Sequence, residues 1–153
     1  MPQTDASEKT ITTNKKAFHD FRIDQKIEAG ISLVGTEVKA VKNGNVDLRD
    51  GFAFIRNGEA FLRNVHIGQY AFGNRVNHDP TRERKLLLHK QEIGKLYSRI
   101  REKSYTLVPL RVYTTRGLIK VELGLAKGKR QYDKKEAIRE RDISRELRRT
   151  YGS

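Results

Sequence analysis

Apolar side chains first become regular between Phe18 and Val41. Phe18, Phe21, Ile23 and Ile27 predict extended structure, and Ala29-Gly30-Ile31-Ser32-Leu33-Val34 reads as a buried strand kinked at its glycine. Glu37 to Lys42 predicts a short helix closed by Asn43-Gly44. The clearest pattern follows: Phe52 to Arg56 and Glu59 to Ile67 flank Asn57-Gly58, a pair that tolerates the positive φ of a type I′ turn, so a hairpin is predicted. From Gly68 to Arg84 the pattern dissolves into a long loop, a candidate for function or disorder. Ile93, Leu96, Tyr97 and Ile100 then stand at i, i+3, i+4 and i+7, one stripe of a helix, with Lys95, Arg99, Arg101 and Lys103 off it. A second hairpin is predicted from Tyr105 to Thr114 and Leu118 to Leu125 around Arg116-Gly117. Pro109 has no N–H to donate, so its strand belongs at an edge or is bulged there. Short antiparallel strands, two hairpins and one long helix predict a mainly β fold: a small antiparallel barrel of the oligonucleotide-binding type, flanked by short helices.

The ends differ from this middle. Residues 1–13 hold, beyond Met1, only Ile11 as a large apolar side chain, and are expected to be a flexible lead to a barrel domain at 14–126. Residues 127–153 carry ten basic and five acidic side chains, net +5, with too few large apolar groups to offset the entropy of ordering. A basic C-terminal tail, disordered when free, is expected. Ile143, Leu147 and Tyr151 share i, i+4, i+8 spacing, so the tail can turn helical once a partner supplies the missing burial.

Composition sharpens the picture. The 153 residues carry 32 Lys+Arg against 19 Asp+Glu, a net +13, which points to a polyanionic partner. No cysteine is present, which excludes disulfides, thiolate zinc sites and a Cys nucleophile, and a reducing compartment fits. Met1 to Lys16 has no apolar targeting segment, and no apolar run nears the roughly 18 residues of a membrane span. A soluble cytoplasmic protein without membrane association is expected.

Three clusters carry candidate chemistry. Ala126-Lys127-Gly128-Lys129-Arg130-Gln131-Tyr132-Asp133-Lys134-Lys135 combines cations around a glycine, which lets phosphates approach, with a tyrosine on which a base can stack. The alternative is a solvated linker; on so basic a chain, binding is favoured. Asp79-Pro80-Thr81-Arg82-Glu83-Arg84-Lys85 brings three cations into a loop, either as guanidinium forks for RNA or as arginines pairing with Asp79 and Glu83, and the two readings weigh equally. Leu86 to Leu88 read as core, although an exposed leucine among cations could pack on an unstacked base. Glu28 and Glu37 are acids beside basic residues, read first as partners that hold a neighbouring Lys or Arg and second as readers of base amino groups. Catalytic signals are thin. His19, His66, His78 and His89 lack metal-ligand spacing, and His66, inside a strand, reads as a satisfied structural histidine. Asp47, Asp50 and Asp79 could in principle gather around Mg²⁺ as in a nuclease, but two of them sit where turns are expected. Neither cofactor nor enzymatic activity is indicated. A general single-strand or ribosomal RNA-binding barrel without a dedicated partner stays open on these residues alone.

The segments Asn14-Lys15-Lys16-Ala17-Phe18-His19-Asp20-Phe21, Glu28-Ala29-Gly30-Ile31, Gly35-Thr36-Glu37-Val38-Lys39, Asp79-Pro80-Thr81-Arg82, Arg84-Lys85-Leu86-Leu87-Leu88 and Gly124-Leu125-Ala126-Lys127-Gly128-Lys129 together resemble the SmpB family of bacterial SsrA-binding proteins, in order from about Asn14 to about Asp142. The resemblance implies a non-enzymatic adaptor for trans-translation, built on an oligonucleotide-binding barrel. Such an adaptor binds the tRNA-like domain of transfer-messenger RNA as a monomer. With alanyl-charged RNA and elongation factor Tu it enters stalled ribosomes, where the barrel mimics an anticodon arm. The tail becomes helical in the empty mRNA channel near the small-subunit decoding centre. Carried over, RNA contacts fall on Asn14, Glu28, Leu87 and Lys120, with Arg82, Arg84 and Lys85 beside them. Ribosome contacts fall on Lys127, Gly128, Lys129, Arg130, Tyr132, Asp133, Lys134, Lys135, Arg139, Arg141 and Arg145. The family's Gly-Lys-Lys and Asp-Lys-Arg elements stand here as Gly128-Lys129-Arg130 and Asp133-Lys134-Lys135, exchanging a point charge for a fork and the reverse, and Phe21 replaces the usual Tyr.

Overall fold

A computed structural model describes residues 8–70 and 77–128. In chain order it contains β1 (Lys9–Thr13), α1 (Lys15–Asp20), β2 (Phe21–Ile31), α2 (Gly35–Lys42), β3 (Val46–Asp47), β4 (Phe52–Arg56), β5 (Glu59–Arg63), β6 (His66–Ile67), β7 (Arg84–Leu87), α3 (Lys90–Lys103), β8 (Thr106–Thr115) and β9 (Leu118–Gly128). The strands β8, β4, β5, β7, β2 and β9 hydrogen-bond in that order, and β9 returns to β8, so the sheet closes on itself as the expected antiparallel barrel. Closure removes the open edges that a flat sheet would leave. β8 makes this possible by sharing one edge: Leu107 pairs with β4, and Arg111 to Thr114 pair with β1.

Both predicted hairpins are present. Asn57 and Gly58 have φ of 52° and 78°, and Arg116 and Gly117 have 51° and 81°, the positive values a two-residue I′ turn requires. The first hairpin is shorter than expected. Asn64, at φ 63°, ends β5, and His66–Ile67 leaves the barrel to pair with β3. His66 lies in a strand as expected and is exposed there.

Two bulges set what each strand buries. The register shifts between Pro109 and Arg111, so of the edge or bulge expected at Pro109 the structure has the bulge. Before it Leu107 faces the barrel core while Val108 and Leu110 face α1; beyond it the parity flips and Val112 faces the core. The shift between Ile23 and Gln25 does the same for β2, sending Ile23 to α1 and Ile27 and Ala29 to the core. α3 lays Ile93 and Leu96 on the barrel, but Tyr97 is 44% exposed, so the buried stripe is narrower than its spacing predicted.

Three expectations are corrected at the ends. Lys9–Thr13 is a strand rather than part of a loose lead, because β8 offers it a ladder that sequence cannot display; residues 1–7 lie outside the described residues. Phe18 sits in a helix, not extended structure, because Asn14 accepts from the Ala17 N–H and starts a helical turn. Lys127 and Gly128 belong to β9, paired with Arg22 and Phe21, so the barrel extends two residues past 126. The remaining tail positions, from Lys129 onward, lie outside the described residues.

Candidate nucleic-acid interface

Pairing of β2 with both β7 and β9 brings three strands distant in sequence together. Gly30 of β2 stands between Leu87 of β7 on one side and Lys120 of β9 on the other. A side chain on Gly30 would begin 3.3 Å from the Leu87 Cβ, so its absence lets Leu87 lean across β2. Leu86 points into the core at 1% exposed and Leu87 points out at 53%, as alternation demands. A groove of about 850 Å³ opens over this spot, lined among others by Lys26, Glu28, Lys85, Leu87 and Lys120. Four residues named from the sequence, Glu28, Lys85, Leu87 and Lys120, thus converge in one cleft.

Glu28 is directly opposite Glu122, an arrangement of like charges that costs stability unless compensated. Compensation comes from β8. The Arg111 guanidinium donates to Glu122 at 3.3 Å and to Glu8 at 2.6 Å, and lies 4.1 Å over the Tyr113 ring. The Tyr113 hydroxyl donates to Oε2 of Glu28. Burial, and then the Glu28 carboxylate beside it, pushes the Tyr113 phenol well above its ordinary value, so it remains a donor. Sequence reasoning missed Tyr113, since no local pattern announces a cross-strand neighbour 85 residues away.

The Asp79–Lys85 segment resolves differently. Glu37 is 0% exposed, and Arg82 grips both its oxygens, Nε to Oε2 at 2.9 Å and Nη2 to Oε1 at 2.7 Å. Arg84, also 0% exposed, donates Nε to Oε2 at 2.7 Å and Nη1 to the Val65 carbonyl at 2.8 Å. Burial raises the Glu37 carboxyl, but hydrogen bonds from Arg82, the Val34 N–H and Arg84 outweigh it and hold the group below its ordinary value. The same carboxylate raises Arg82. Beside this cluster His78 binds the Ile67 carbonyl through Nε2 at 2.8 Å; a carbonyl only accepts, so Nε2 carries the proton, and Nδ1 meets the Thr36 hydroxyl at 2.8 Å.

Several sequence-based assignments therefore change. Arg84 is sealed inside and has no face for RNA, and Arg82 is committed to Glu37. Asp79 and Glu83 offer them only backbone carbonyls; the carboxylate they pair with is Glu37, 45 and 47 residues upstream, which bears out Glu37 as a holder of arginines. Asn14 is 3% exposed; its Oδ1 accepts from Ala17 N–H and its Nδ2 donates to the Leu48 and Pro109 carbonyls, so it ties α1 to β8 and lies apart from the groove. Lys85 is exposed and pairs with Glu59 at 2.9 Å. Lys127 lies 4.8 Å over the Tyr105 ring, with Arg99 5.2 Å from the same ring. Asp47, Asp50 and Asp79 turn to Arg49, Lys16 and Thr81 respectively, and among the described residues no three His, Asp or Glu groups gather as a metal site. Among those residues no helix is long and apolar enough to cross a membrane.

The family model described as SmpB protein matches residues 11–153. The SsrA-binding protein of Geobacter sulfurreducens is 62% identical over 140 residues, covering 92% of each chain. That of Bacillus cytotoxicus is 53% identical over 151 residues, 99% of this chain and 96% of the relative. A solved structure reported under the words "tmRNA-SmpB: a journey to the center of the bacterial ribosome" is similar with a TM-score of 0.67 and 48% identity, covering 84% of this chain and 94% of that one. Similarity at this level over nearly the whole of both partners has one consequence: this chain belongs to the SmpB family.

Proposed function

We propose that this chain is a non-enzymatic adaptor of trans-translation in the cytoplasm, a monomer that binds the tRNA-like domain of transfer-messenger RNA and accompanies it into stalled ribosomes. One observation carries the reading: Glu28, Leu87 and Lys120, remote in sequence, line a single groove. In it Lys26, Lys85 and Lys120 meet phosphates, Leu87 packs on an unstacked base, and Glu28, held by Tyr113, accepts from base N–H groups. Family membership and the similarity to SsrA-binding proteins support the partner. The barrel stands in for an anticodon arm, and alanyl-charged RNA and elongation factor Tu act with it. Lys127 and Gly128 lead into the tail, whose Lys129, Arg130, Tyr132, Asp133, Lys134, Lys135, Arg139, Arg141 and Arg145 contact the small subunit's decoding centre and empty mRNA channel.

Sequencing the RNA that co-purifies with the tagged protein from its own cells tests the partner, and transfer-messenger RNA should dominate. A broad mixture, with affinity at fixed salt that ignores RNA identity, would establish a general RNA-binding barrel instead. Within the groove, Leu87→Asn and Glu28→Gln each weaken binding by roughly 10-fold, from about 1–2 kcal/mol of lost apolar contact or charge-assisted hydrogen bonding. Both side chains face solvent, so melting temperatures stay within a few degrees of the parent. A titration showing parental affinity in both variants would remove the groove from the RNA interface.

A further inference from the structure

The outward face of the β4–β5 hairpin carries a second arrangement that shares no side chain with the groove. Ala53, Ala60 and Leu62 point into the core, so Phe54 and Phe61, directly opposite each other, point out, with ring centroids 5.7 Å apart. Two arginines cover these rings: the Arg56 guanidinium lies 4.4 Å over Phe61 and the Arg63 guanidinium 4.7 Å over Phe54. Both then converge on one carboxylate, Arg56 Nη2 donating to Oε2 of Glu83 at 2.8 Å and Arg63 Nη2 to Oε1 at 2.7 Å. Those two hydrogen bonds hold the Glu83 carboxyl below its ordinary value.

An exposed ion pair contributes little to stability, so the geometry has more to offer a ligand than the fold. Stacking on the rings fixes the guanidinium planes in advance, which lowers the entropy lost when an anion is gripped. Among the described residues each guanidinium gives a single N–H to Glu83, and a guanidinium carries further donors that a ligand can use. A phosphodiester presents two non-bridging oxygens just as a carboxylate presents its pair. With two cations against one anion, the site keeps a net +1 when Glu83 occupies it. It is also continuous with the groove: Lys85, which lines the groove, is directly opposite Phe61.

We propose that Arg56 and Arg63, laid on Phe61 and Phe54, form a second phosphate seat for the RNA held by the groove, and that Glu83 fills this seat in the free protein as an internal competitor. The proposal rests on the RNA-binding reading above. RNA leaving the groove past Lys85 displaces the carboxylate with its backbone, and the flat guanidinium and ring surfaces tolerate any base.

The test is titration of the full-length protein with the tRNA-like domain of transfer-messenger RNA over a series of salt concentrations. Joint replacement Arg56→Gln and Arg63→Gln should weaken binding and flatten the log–log salt dependence by about 0.7–0.9 for each phosphate lost. Glu83→Gln should tighten binding roughly two- to fivefold, and that gain should vanish when the two arginines are also replaced. Glu102→Gln, an exposed acid at the end of α3, serves as the control for a simple change of net charge. An unchanged salt slope in the double arginine variant overturns the proposal, as it would if the arginines served an acidic protein partner. An equal gain from Glu83→Gln with and without the arginines, or from Glu102→Gln, overturns it as well. If Leu87→Asn still weakens binding in that event, the second seat falls and the groove stands; if Leu87→Asn is also silent, the groove reading falls first.

Discussion

Deleting residues 129–153 abolishes tagging on stalled ribosomes while the affinity for transfer-messenger RNA changes less than about threefold at physiological salt. The division follows from where the barrel ends. β9 runs to Gly128, still paired with Phe21, and Lys127 is anchored over Tyr105, so every residue that builds the barrel and the groove lies upstream of the cut. The removed segment carries nine basic and five acidic side chains, net +4, and its apolar residues are too few to form a core of their own. In the proposed function that charge serves a second polyanion, the ribosome, rather than the RNA in the groove. A binding titration and an in vitro tagging assay on the same preparation check both halves. A tenfold fall in RNA affinity on truncation would show that the tail belongs to the first interface and would contradict this separation.

Arg84→Met unfolds the protein more readily than any surface change, lowering stability by about 3–5 kcal/mol and the melting temperature by roughly 10 °C or more. Methionine fills much of the space of the arginine stem but donates nothing. Glu37 then keeps only Arg82 and the Val34 N–H, and the Val65 carbonyl loses its donor, all inside a site closed to water. The acid limb of stability moves too. Because the folded carboxyl of Glu37 is held below its ordinary value, its contribution is fully present above the unfolded pKa, about 4.3, and is lost as pH falls through the lower folded value. Removing Arg84 raises the folded value, so the variant loses stability at higher pH than the parent. Melting curves from pH 3 to 7 measure both effects; a melting temperature within two degrees of the parent at neutral pH would mean that the buried cluster is not a structural tie.

The candidate site was partly legible beforehand. Glu28, Leu87 and Lys120 could be named through family resemblance, but from the residues alone Leu87 read as core and Glu28 as a holder of cations. Alternation places Leu86 or Leu87 outside without saying which, and only the pairing of Gly30 with Leu87 decides it. Arg84 shows the opposite error: an arginine in a polar loop reads as solvent-facing until a buried acid 47 residues away is found beneath it. Tyr113 escaped notice, and Glu83 was read as a partner of arginines in its own segment rather than of Arg56 and Arg63, because these partners come from strands that local patterns do not connect.

What the sequence determined by itself is local: the Asn57-Gly58 and Arg116-Gly117 turns, the break at Pro109, the α3 stripe and the helix ahead of Asn43-Gly44. Positive-φ chemistry, a missing N–H and side-chain periodicity act within about ten residues and need no partner. The same limit explains the failures. β1 is polar and Thr-rich, and becomes a strand only because β8 has an unused edge; the bulges at Asp24 and Leu110 reverse which face is buried; α1 is tied to the barrel because Asn14 reaches the Leu48 and Pro109 carbonyls. Which charged groups are sealed in and which meet a ligand was decided by the pairing of strands remote in sequence, since the β7–β2 and β2–β9 ladders set residues 30, 87 and 120 side by side while tertiary packing shuts water away from Glu37 and Arg84.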